Sequence, residues 1–284
     1  MNKKLIPPRQ RDTLVFEMYQ TEKRLARKLT AASAKERGKV YKEVYIEYFE
    51  TCRRIGYLPD REKEKRAKNA QRALIRWAVR KHMRYLEIGA GDCLCAQEAA
   101  SIGCFTVALD VVFPMPMAGM PGVNRVVFDG LRIPFKAESF DFAFSNQCLE
   151  HLHPDDTSEQ TRDVARVLKY GAEYLCVTPH QYSGPHDISK GFDRQATGLH
   201  LHEYTLMDLV NLMKLSGFSA AWCVAGARSA YCRVPFFFAW LVELLVSLFS
   251  HPARKIVAGS LPVRSILSIR IVGKKLSNDF GQTD

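Results

Sequence analysis

The chain lacks the features that mark secreted, zinc-binding and membrane-spanning proteins. No long apolar run follows the start MNKKLIPPRQRD, so we expect no signal peptide. The 8 cysteines form no Cys-x-x-Cys pair, since Cys93 and Cys95 are one residue apart, and we expect reduced thiols in the core. The apolar stretch 234–249 has 16 residues, fewer than the roughly 20 of a spanning helix. We therefore expect a cytoplasmic protein, with membrane association left open.

Basic residues outnumber acidic ones in both flanks of the chain, whereas the centre has few basic residues. The formal net charge is +11, made up of +14 in 1–84, −8 in 85–227, +7 in 228–275 and two acids in the tail. The length of 284 residues suffices for one α/β domain and a smaller element. The central region is therefore an acidic candidate for the catalytic core, with the excess positive charge on its two sides.

A glycine turn follows the first strongly apolar segment of this core. In YLEIGAGDC (85–93), Leu86 and Ile88 are typical of a short buried strand, and Gly89-Ala90-Gly91 ends it. Glycine lets the backbone turn sharply and lets a ligand approach where a Cβ would intrude. The next residues favour a helix, whose first free N–H groups would face that ligand.

Two more apolar segments end in an acidic residue. FTVALD (105–110) ends at Asp110, and VNRVVFDG (123–130) contains Asp129 just before a glycine. Ligands of open parallel sheets bind at the carboxyl ends of the strands. The three segments together therefore predict a nucleoside site, with the Asp110 carboxylate placed to accept both hydroxyls of a ribose.

Three interpretations of this pattern compete. A glycine turn alone also occurs in α/β domains that bind no ligand, but successive acids at strand ends disfavour that explanation. A dinucleotide-binding domain would have a third glycine at position 94, where this chain has Leu94. That fingerprint also does not require an acid before the first glycine, and Glu87 is present there.

The third interpretation rests on a resemblance. The segment resembles the class I S-adenosylmethionine (SAM)-dependent methyltransferase family, in its small-molecule branch, whose first motif is acid-x-Gly-x-Gly. The resemblance extends over roughly residues 83–225 and continues through PFKAESFDFAFSNQCLEHL (134–152), VLKYGAEYLCVTPH (167–180) and HLHEYTLMDLVNLMKLSGF (200–218). One departure is Cys93, where many members have a third glycine. The resemblance implies an α/β Rossmann-like fold with a seven-stranded, mostly parallel sheet and helices on both faces.

The resemblance also implies which residues bind SAM. They are Glu87, Gly89, Ala90, Gly91, Asp110, Val111, Asp129, Gly130, Leu131, Asn146 and Gln147. The first four would surround the methionine part, Asp110 would hold the ribose, and Val111 would lie against the adenine. Asp129 would accept the adenine amino group, with backbone contacts from the two residues after it. The last two would flank the methionine and the path of methyl transfer.

Histidines cluster after the predicted fourth and fifth strands. Methyl transfer from a sulfonium is an in-line displacement that needs near-attack geometry. An oxygen or carbon acceptor also needs a base, and histidine is suited to that role near neutral pH. We rank His180, then His186, then His151 as this base, although each is also consistent with a structural histidine. The same loops could hold a divalent metal, but no strict motif is present, and we predict none.

Two flanking regions complete the predicted organisation. Residues 1–82 are expected to form a basic helical extension that acts as a lid, and 83–284 the methyltransferase domain. In the lid, Tyr41, Tyr45 and Phe49 recur every fourth residue on one helix face. A hydrophobic helical insertion is expected at about 228–263, before the last strand.

The stretch 234–249 is open to three interpretations. It could be core, a homodimer interface, or a monotopic anchor whose neighbouring basic residues, up to 255, bind an anionic membrane surface.

The sequence predicts transfer of a methyl group from SAM to a small or lipid-linked acceptor, with O-methylation favoured. One alternative is an RNA methyltransferase that binds phosphates through the basic N-terminal region. Against it, the Lys and Arg residues of 60–82 are mixed with Glu, so nucleic acid is not favoured as a partner. The other alternative is a non-catalytic SAM-fold binding protein, which the intact Glu87, Asp110 and Asp129 disfavour.

Overall fold

A computed structural model describes residues 8–57, 61–114, 120–227 and 229–276. The strands are β1 (Arg84–Ile88), β2 (Phe105–Asp110), β3 (Val123–Val127), β4 (Phe140–Asn146), β5 (Leu168–Val177), β6 (Phe218–Ala227), β7 (Ala230–Pro235) and β8 (Arg270–Lys275). The helices are α1 (Pro8–Ala31), α2 (Arg37–Ile55), α3 (Arg61–Ala78), α4 (Leu94–Ile102), α5 (Pro154–Val167), α6 (Leu206–Leu215), α7 (Phe236–Ser247), α8 (His251–Gly259) and α9 (Leu261–Leu267).

In this described part the strands form one eight-stranded sheet of order β3-β2-β1-β4-β5-β8-β6-β7. The neighbours from β3 through β5 are parallel, whereas β8 is antiparallel to both β5 and β6. The carboxyl ends of β1, β2 and β4 therefore lie at one edge, where ligands of such sheets bind.

Helices cover both faces of the sheet, because alternate strand residues point to opposite sides. Leu86 and Ile88 of β1 pack in a core cluster that includes residues of α1, α2, α5 and α6. Tyr85 packs in a second cluster with residues of α3 and α4. The predicted α/β Rossmann-like fold, mostly parallel with helices on both faces, is confirmed.

The predicted count of seven strands is wrong by one. The additional strand, β7, pairs with β6 as an antiparallel hairpin at the edge of the sheet. It occupies the start of the region 228–263 that we predicted to be helical, and α7, α8 and α9 follow. Half-buried Tyr231 stabilises this strand. Its hydroxyl donates to Ala70 O of α3 and fixes β7 against that helix.

A buried ion pair attaches α2 to α5. Arg37 donates from Nε and Nη2 to the two carboxylate oxygens of Asp156, at 2.7 and 2.6 Å. The Tyr41 hydroxyl also donates to Asp156, at 3.0 Å. Both charged side chains are buried. This contact fixes α2 close to the carboxyl ends of the strands.

The single acid of the apolar stretch, Glu243 in α7, faces inward. Its carboxylate is buried and bonds to His180 Nε2 at 2.8 Å and to the Leu206 N–H at 2.6 Å. The outward face of α7 is consequently apolar. In the described parts of the chain, no helix has both the length and the apolar character needed to cross a membrane.

Candidate active site

The turn after β1 needs glycine at two positions for different reasons. Gly89 has φ +68°, and a Cβ there would lie 2.7 Å from Cys148 Sγ, which is closer than any real contact. Gly91 has φ +50°, and a Cβ there would meet no atom within 4 Å. The first glycine therefore permits close packing, and the second leaves open space over the turn for a ligand.

Cys93, the residue that departs from the family pattern, also has a left-handed backbone, with φ +58°. This conformation is disfavoured for residues with a Cβ, which explains why glycine suits this position in the family that the chain resembles. The Cys93 side chain is buried among residues of α4 and β4.

Asp110 lies directly beside this turn. Its Oδ2 accepts from the Gly91 N–H at 2.7 Å, and its Oδ1 accepts from the Val112 N–H at 3.2 Å. Burial raises the pKa of Asp110, and the two backbone N–H groups oppose that shift. The carboxylate is thus held in place by the same turn that we predicted to contact SAM.

Two neighbouring cavities open on either side of the glycine turn. One, of about 180 Å³, is lined by Tyr41, Tyr45, Phe49, Gly89, Gly91, Asp110, Val111, Phe128, Gly130, Gln147, Cys148, His151, Leu152 and Gln160. The other, of about 300 Å³, is lined by Ala67, Lys68, Gln71, Glu87, Gly89, Ala90, Gly91, Asp92, Leu94, Cys95, Asn146 and Gln147. They share three lining residues, so together they reach the size of roughly 300–1,000 Å³ that is usual for ligand sites.

Nine of the eleven residues predicted to bind SAM line these cavities, and Asp129 and Leu131 do not. Asp129 Oδ1 instead accepts from the backbone N–H groups of Leu131 and Arg132, both at 2.8 Å. This short-range turn engages Oδ1 of the carboxylate, and the contact of Asp129 with adenine stays a prediction. Leu131 packs against the core. Gly130 does line the first cavity, next to Val111.

The chemistry of the lining fits SAM. Glu87 is buried in the second cavity wall, and its Oε2 atom has no hydrogen-bond partner among the described residues. Burial raises the pKa of Glu87 well above its ordinary value, and a backbone hydrogen bond from Ala96 opposes that shift. An acidic group with one oxygen left without a partner in the cavity wall suits the positively charged methionine part of SAM. At the other end, Val111 and Phe128 offer an apolar surface for adenine.

The remainder of the first cavity is aromatic and apolar. Helix α2 contributes Tyr41, Tyr45 and Phe49, which recur at every fourth residue, as the periodicity indicated. Residues that we did not predict also line it, namely Phe128, Cys148, Leu152 and Gln160. Cys148 and Leu152 flank the predicted His151, so their position in the helical turn after β4 is the sequence signal that could have identified these two. The buried Tyr45 hydroxyl has no hydrogen-bond partner in the part of the chain that the structure describes.

His151 is the one predicted base that lines this cavity. Its Nδ1 lies 3.0 Å from Leu199 O, and because a carbonyl only accepts, Nδ1 carries the proton and Nε2 the lone pair. Burial lowers the pKa of His151 to about 3, with a further contribution from His200. His151 is therefore neutral at pH 7, and it is a weak base.

The structure does not bring His180 or His186 to either cavity. His180 is buried, its Nε2 bonds to Glu243, and its Nδ1 accepts from the Tyr182 N–H. The Nε2 of His186 bonds to Ser183 Oγ and to His180 O. Both side chains have structural partners. The predicted order of candidate bases is therefore corrected, because His151 lines a cavity at the glycine turn and the other two do not.

Part of the chain is similar in sequence to known proteins. Residues 86–176 match a family described as "Methyltransferase domain". Demethylmenaquinone methyltransferases of Corynebacterium glutamicum and Corynebacterium efficiens are 34% identical over 101 residues, which cover 35% of this chain and 42% of each relative. The chain thus spans less than half the length of the curated relatives that it matches.

A solved structure shares the fold over most of its length. It is Burkholderia thailandensis 1,6-didemethyltoxoflavin-N1-methyltransferase with bound 1,6-didemethyltoxoflavin and S-adenosylhomocysteine. The TM-score is 0.56 at 17% identity, over 87% of this chain and 92% of that one. At that identity the likeness shows the fold alone.

Proposed function

We propose that the chain, whose residues 86–176 match a family described as "Methyltransferase domain", uses SAM to methylate a hydroxyl group of a small or lipid-linked apolar acceptor. The observation that carries this proposal is the aromatic lining of the first cavity directly beside Gly91 and Asp110. We call this first cavity the acceptor cavity. The named substrate of the Corynebacterium relatives, demethylmenaquinone, supports an acceptor with a quinone-type ring.

We assign the SAM-binding roles by position. When bound, SAM supplies an electrophilic methyl group on a sulfonium. Glu87 faces the charged methionine part, Asp110 accepts the ribose hydroxyls, and Val111 lies against the adenine. Gly91 leaves room for the ligand over the turn, and Gly89 lets Cys148 pack against the turn. Asp129 is proposed only to stabilise the turn that presents Gly130.

Helix α2 acts as the lid in this proposal. Its residues Tyr41, Tyr45 and Phe49 surround the acceptor with aromatic surface and exclude water from it. The buried Tyr45 hydroxyl and the His151 Nε2 lone pair are polar groups available to orient an acceptor hydroxyl. Since His151 is a weak base, its role is to position that oxygen rather than to remove its proton unaided.

Incubation with isotopically labelled SAM tests the reaction. The enzyme is mixed with an apolar lipid extract, a polar metabolite extract or total RNA, and mass spectrometry locates the labelled methyl group. We expect label in the apolar extract, on oxygen, and no transfer by Asp110→Ala. Labelled RNA would establish the RNA methyltransferase alternative. SAM binding without transfer to any fraction would establish a non-catalytic binding protein.

The charges of the N-terminal helices weigh against the RNA alternative. Several basic side chains pair with acids of the same two helices: Arg24 with Glu47, Lys28 with Glu43, and Arg54 with Glu17. Part of the positive charge is thus neutralised within the helical unit and is less available to phosphates.

We further propose that α7 and α8 dock on an anionic membrane, which would bring a lipid-linked acceptor to the enzyme. The exposed apolar residues of this surface are Phe237, Phe238, Leu241, Leu244, Leu245, Leu248, Phe249 and Ile256. Arg254 and Lys255 of α8 supply basic groups beside it. An apolar face with basic neighbours is typical of helices that lie in a membrane interface.

The double substitution Leu244→Glu with Leu245→Glu tests this surface. Both side chains are exposed, so we expect an unchanged melting temperature but loss of co-sedimentation with phosphatidylserine vesicles. Leu215→Glu, at an equally apolar position of α6 that is 74% exposed, is the matched control and should bind like the wild type. Unchanged sedimentation of the double variant would contradict the proposal. Conversion of a dimer to a monomer would identify a homodimer interface instead.

A further inference from the structure

Three side chains with metal-ligating atoms meet behind the wall of the first cavity, which His151 lines and the other two do not. Glu150 and His151 come from the helical turn after β4, and His200 comes from the loop before α6. One ligand atom from each lies within 4.8 Å of the other two. The two imidazole rings are 4.8 Å apart and nearly perpendicular, at 87°. A modest approach of the three groups would close them around one ion.

Both histidines use the same ring nitrogen, Nδ1, for a hydrogen bond to a group outside the cluster. His151 Nδ1 donates to Leu199 O, and His200 Nδ1 lies 2.9 Å from Glu203 Oε1, a carboxylate that accepts. In the neutral form each ring therefore carries its lone pair on Nε2, and among the described residues neither Nε2 has a hydrogen-bond partner. Metal-bound histidines are oriented in this way, with the second nitrogen donating to a carbonyl or carboxylate.

The carboxylate of Glu150 supplies the independent observation. The side chain is fully buried, and within the described part of the chain its Oε1 has no hydrogen-bond partner, whereas Oε2 accepts from Thr178 Oγ1 at 3.0 Å. A buried acceptor without a partner costs about 1–3 kcal/mol, and more when it is charged, so it requires an explanation. A cation between Glu150 and the two histidines provides one.

The surroundings of the cluster favour positive charge. Glu22 and Glu203 are also buried, and Asp187 is close enough to interact electrostatically with His200. Among the described residues, neither Glu150 nor these three acids form a salt bridge to a lysine or arginine. Buried carboxylates are normally paired with a cationic group or with a metal.

We propose that Glu150, His151 and His200 bind a divalent transition-metal ion, with an open coordination position for the acceptor hydroxyl. Two imidazoles and one carboxylate favour ions such as Zn²⁺ or Co²⁺ over Mg²⁺. The part of this proposal that concerns the acceptor rests on the proposed function. A metal-bound hydroxyl has a lowered pKa, so its proton can leave to water near neutral pH.

The ligand set could not be predicted from spacing. Glu150 and His151 are adjacent, but His200 follows 49 residues later, and the histidine loops that we considered for a metal included His180 and His186, which have other partners. The topology of the sheet brings the distant loop to the turn after β4.

Any bound metal is first removed from the purified full chain with a chelator. Titration with Co²⁺ then tests the site without an activity assay. We expect one equivalent to bind, with visible absorption bands of a low-coordinate Co²⁺ ion, and Zn²⁺ to displace it. His200→Ala and the isosteric Glu150→Gln should each abolish stoichiometric binding. Glu203→Gln, which changes the group behind His200, should weaken Co²⁺ affinity by about 10–100-fold. His202→Ala is the matched control from the same loop and should bind like the wild type.

Calorimetric titration with SAM on the same samples separates this proposal from the methyltransferase assignment. Wild type and His200→Ala should bind SAM with similar affinity, because His200 lines neither of the two cavities at the glycine turn. No stoichiometric Co²⁺ binding by a wild-type protein that binds SAM would overturn the metal site alone. Equal Co²⁺ binding by Glu150→Gln and His200→Ala would also overturn it. Failure to bind SAM, with Co²⁺ bound, would instead contradict the proposed function.

Discussion

Asp110→Ala should lower the affinity for SAM by at least about 100-fold. A carboxylate that accepts two ribose hydroxyls makes two charge-assisted hydrogen bonds, each worth about 1.5–3 kcal/mol. The same substitution also removes the acceptor of the Gly91 and Val112 N–H groups, which loosens the turn under the ligand. Isothermal titration calorimetry with SAM and S-adenosylhomocysteine measures the loss, and circular dichroism checks the fold.

Substitutions of two other aspartates are the comparison variants for that experiment. Asp141 lies near the amino end of β4, at the opposite edge of the sheet, where it accepts from the Arg84 N–H and from Lys169. Asp141→Ala should therefore leave SAM affinity unchanged. Asp129→Ala should have a smaller effect than Asp110→Ala, since Asp129 lines neither cavity. An equal effect at Asp129 would restore its adenine role, and unchanged affinity at Asp110 would refute the ribose assignment.

Asp156→Ala should lower the free energy of unfolding by about 3–5 kcal/mol, the usual cost of leaving a buried charge without its partner. The charge left behind is Arg37, which is 6% exposed and bonds to both oxygens of Asp156. Because Tyr41 bonds to the same carboxylate and lines the acceptor cavity, we also expect a higher KM for the acceptor. Urea unfolding measures the first effect.

The exposed pair of Arg24 and Glu47 is the matched control. Glu47→Ala should cost less than about 1 kcal/mol, because solvent screens an exposed ion pair. If Asp156→Ala cost no more than Glu47→Ala, the buried ion pair would not be what fixes α2 to the domain.

Local chemistry explains what could be predicted from the sequence. Gly89, Gly91 and Asp110 follow directly from strand ends and turns, so short-range patterns placed them at one edge of the sheet. Asp129 has a further role that we did not predict, since its Oδ1 accepts from the backbone N–H groups two and three residues ahead of it. Aspartate before glycine is a frequent turn former, and this alternative was visible in the sequence.

Long-range pairing explains what could not be predicted. The buried partner of His180 is Glu243, 63 residues later in the chain, and no local pattern reports that contact. The same contact turns the single acid of the stretch 234–249 inward, which leaves the outward face of α7 apolar. Strand β7 was missed for a related reason: it is stabilised by pairing with β6 and by the contact of Tyr231 with α3, not by its own composition.

The position of β8 has a consequence for biosynthesis. It pairs with β5 on one side and β6 on the other, so it joins β6 and β7 to the rest of the sheet. A ribosome releases β6, β7 and the apolar face of α7 before Arg270–Lys275 has been synthesised. These elements cannot take their places in the sheet until then, and such late non-local pairing is slow and prone to aggregation. A premature stop codon upstream of β8 would therefore leave a chain with an apolar helix and with the edges of β5 and β6 unpaired, a substrate for chaperones rather than a shorter enzyme.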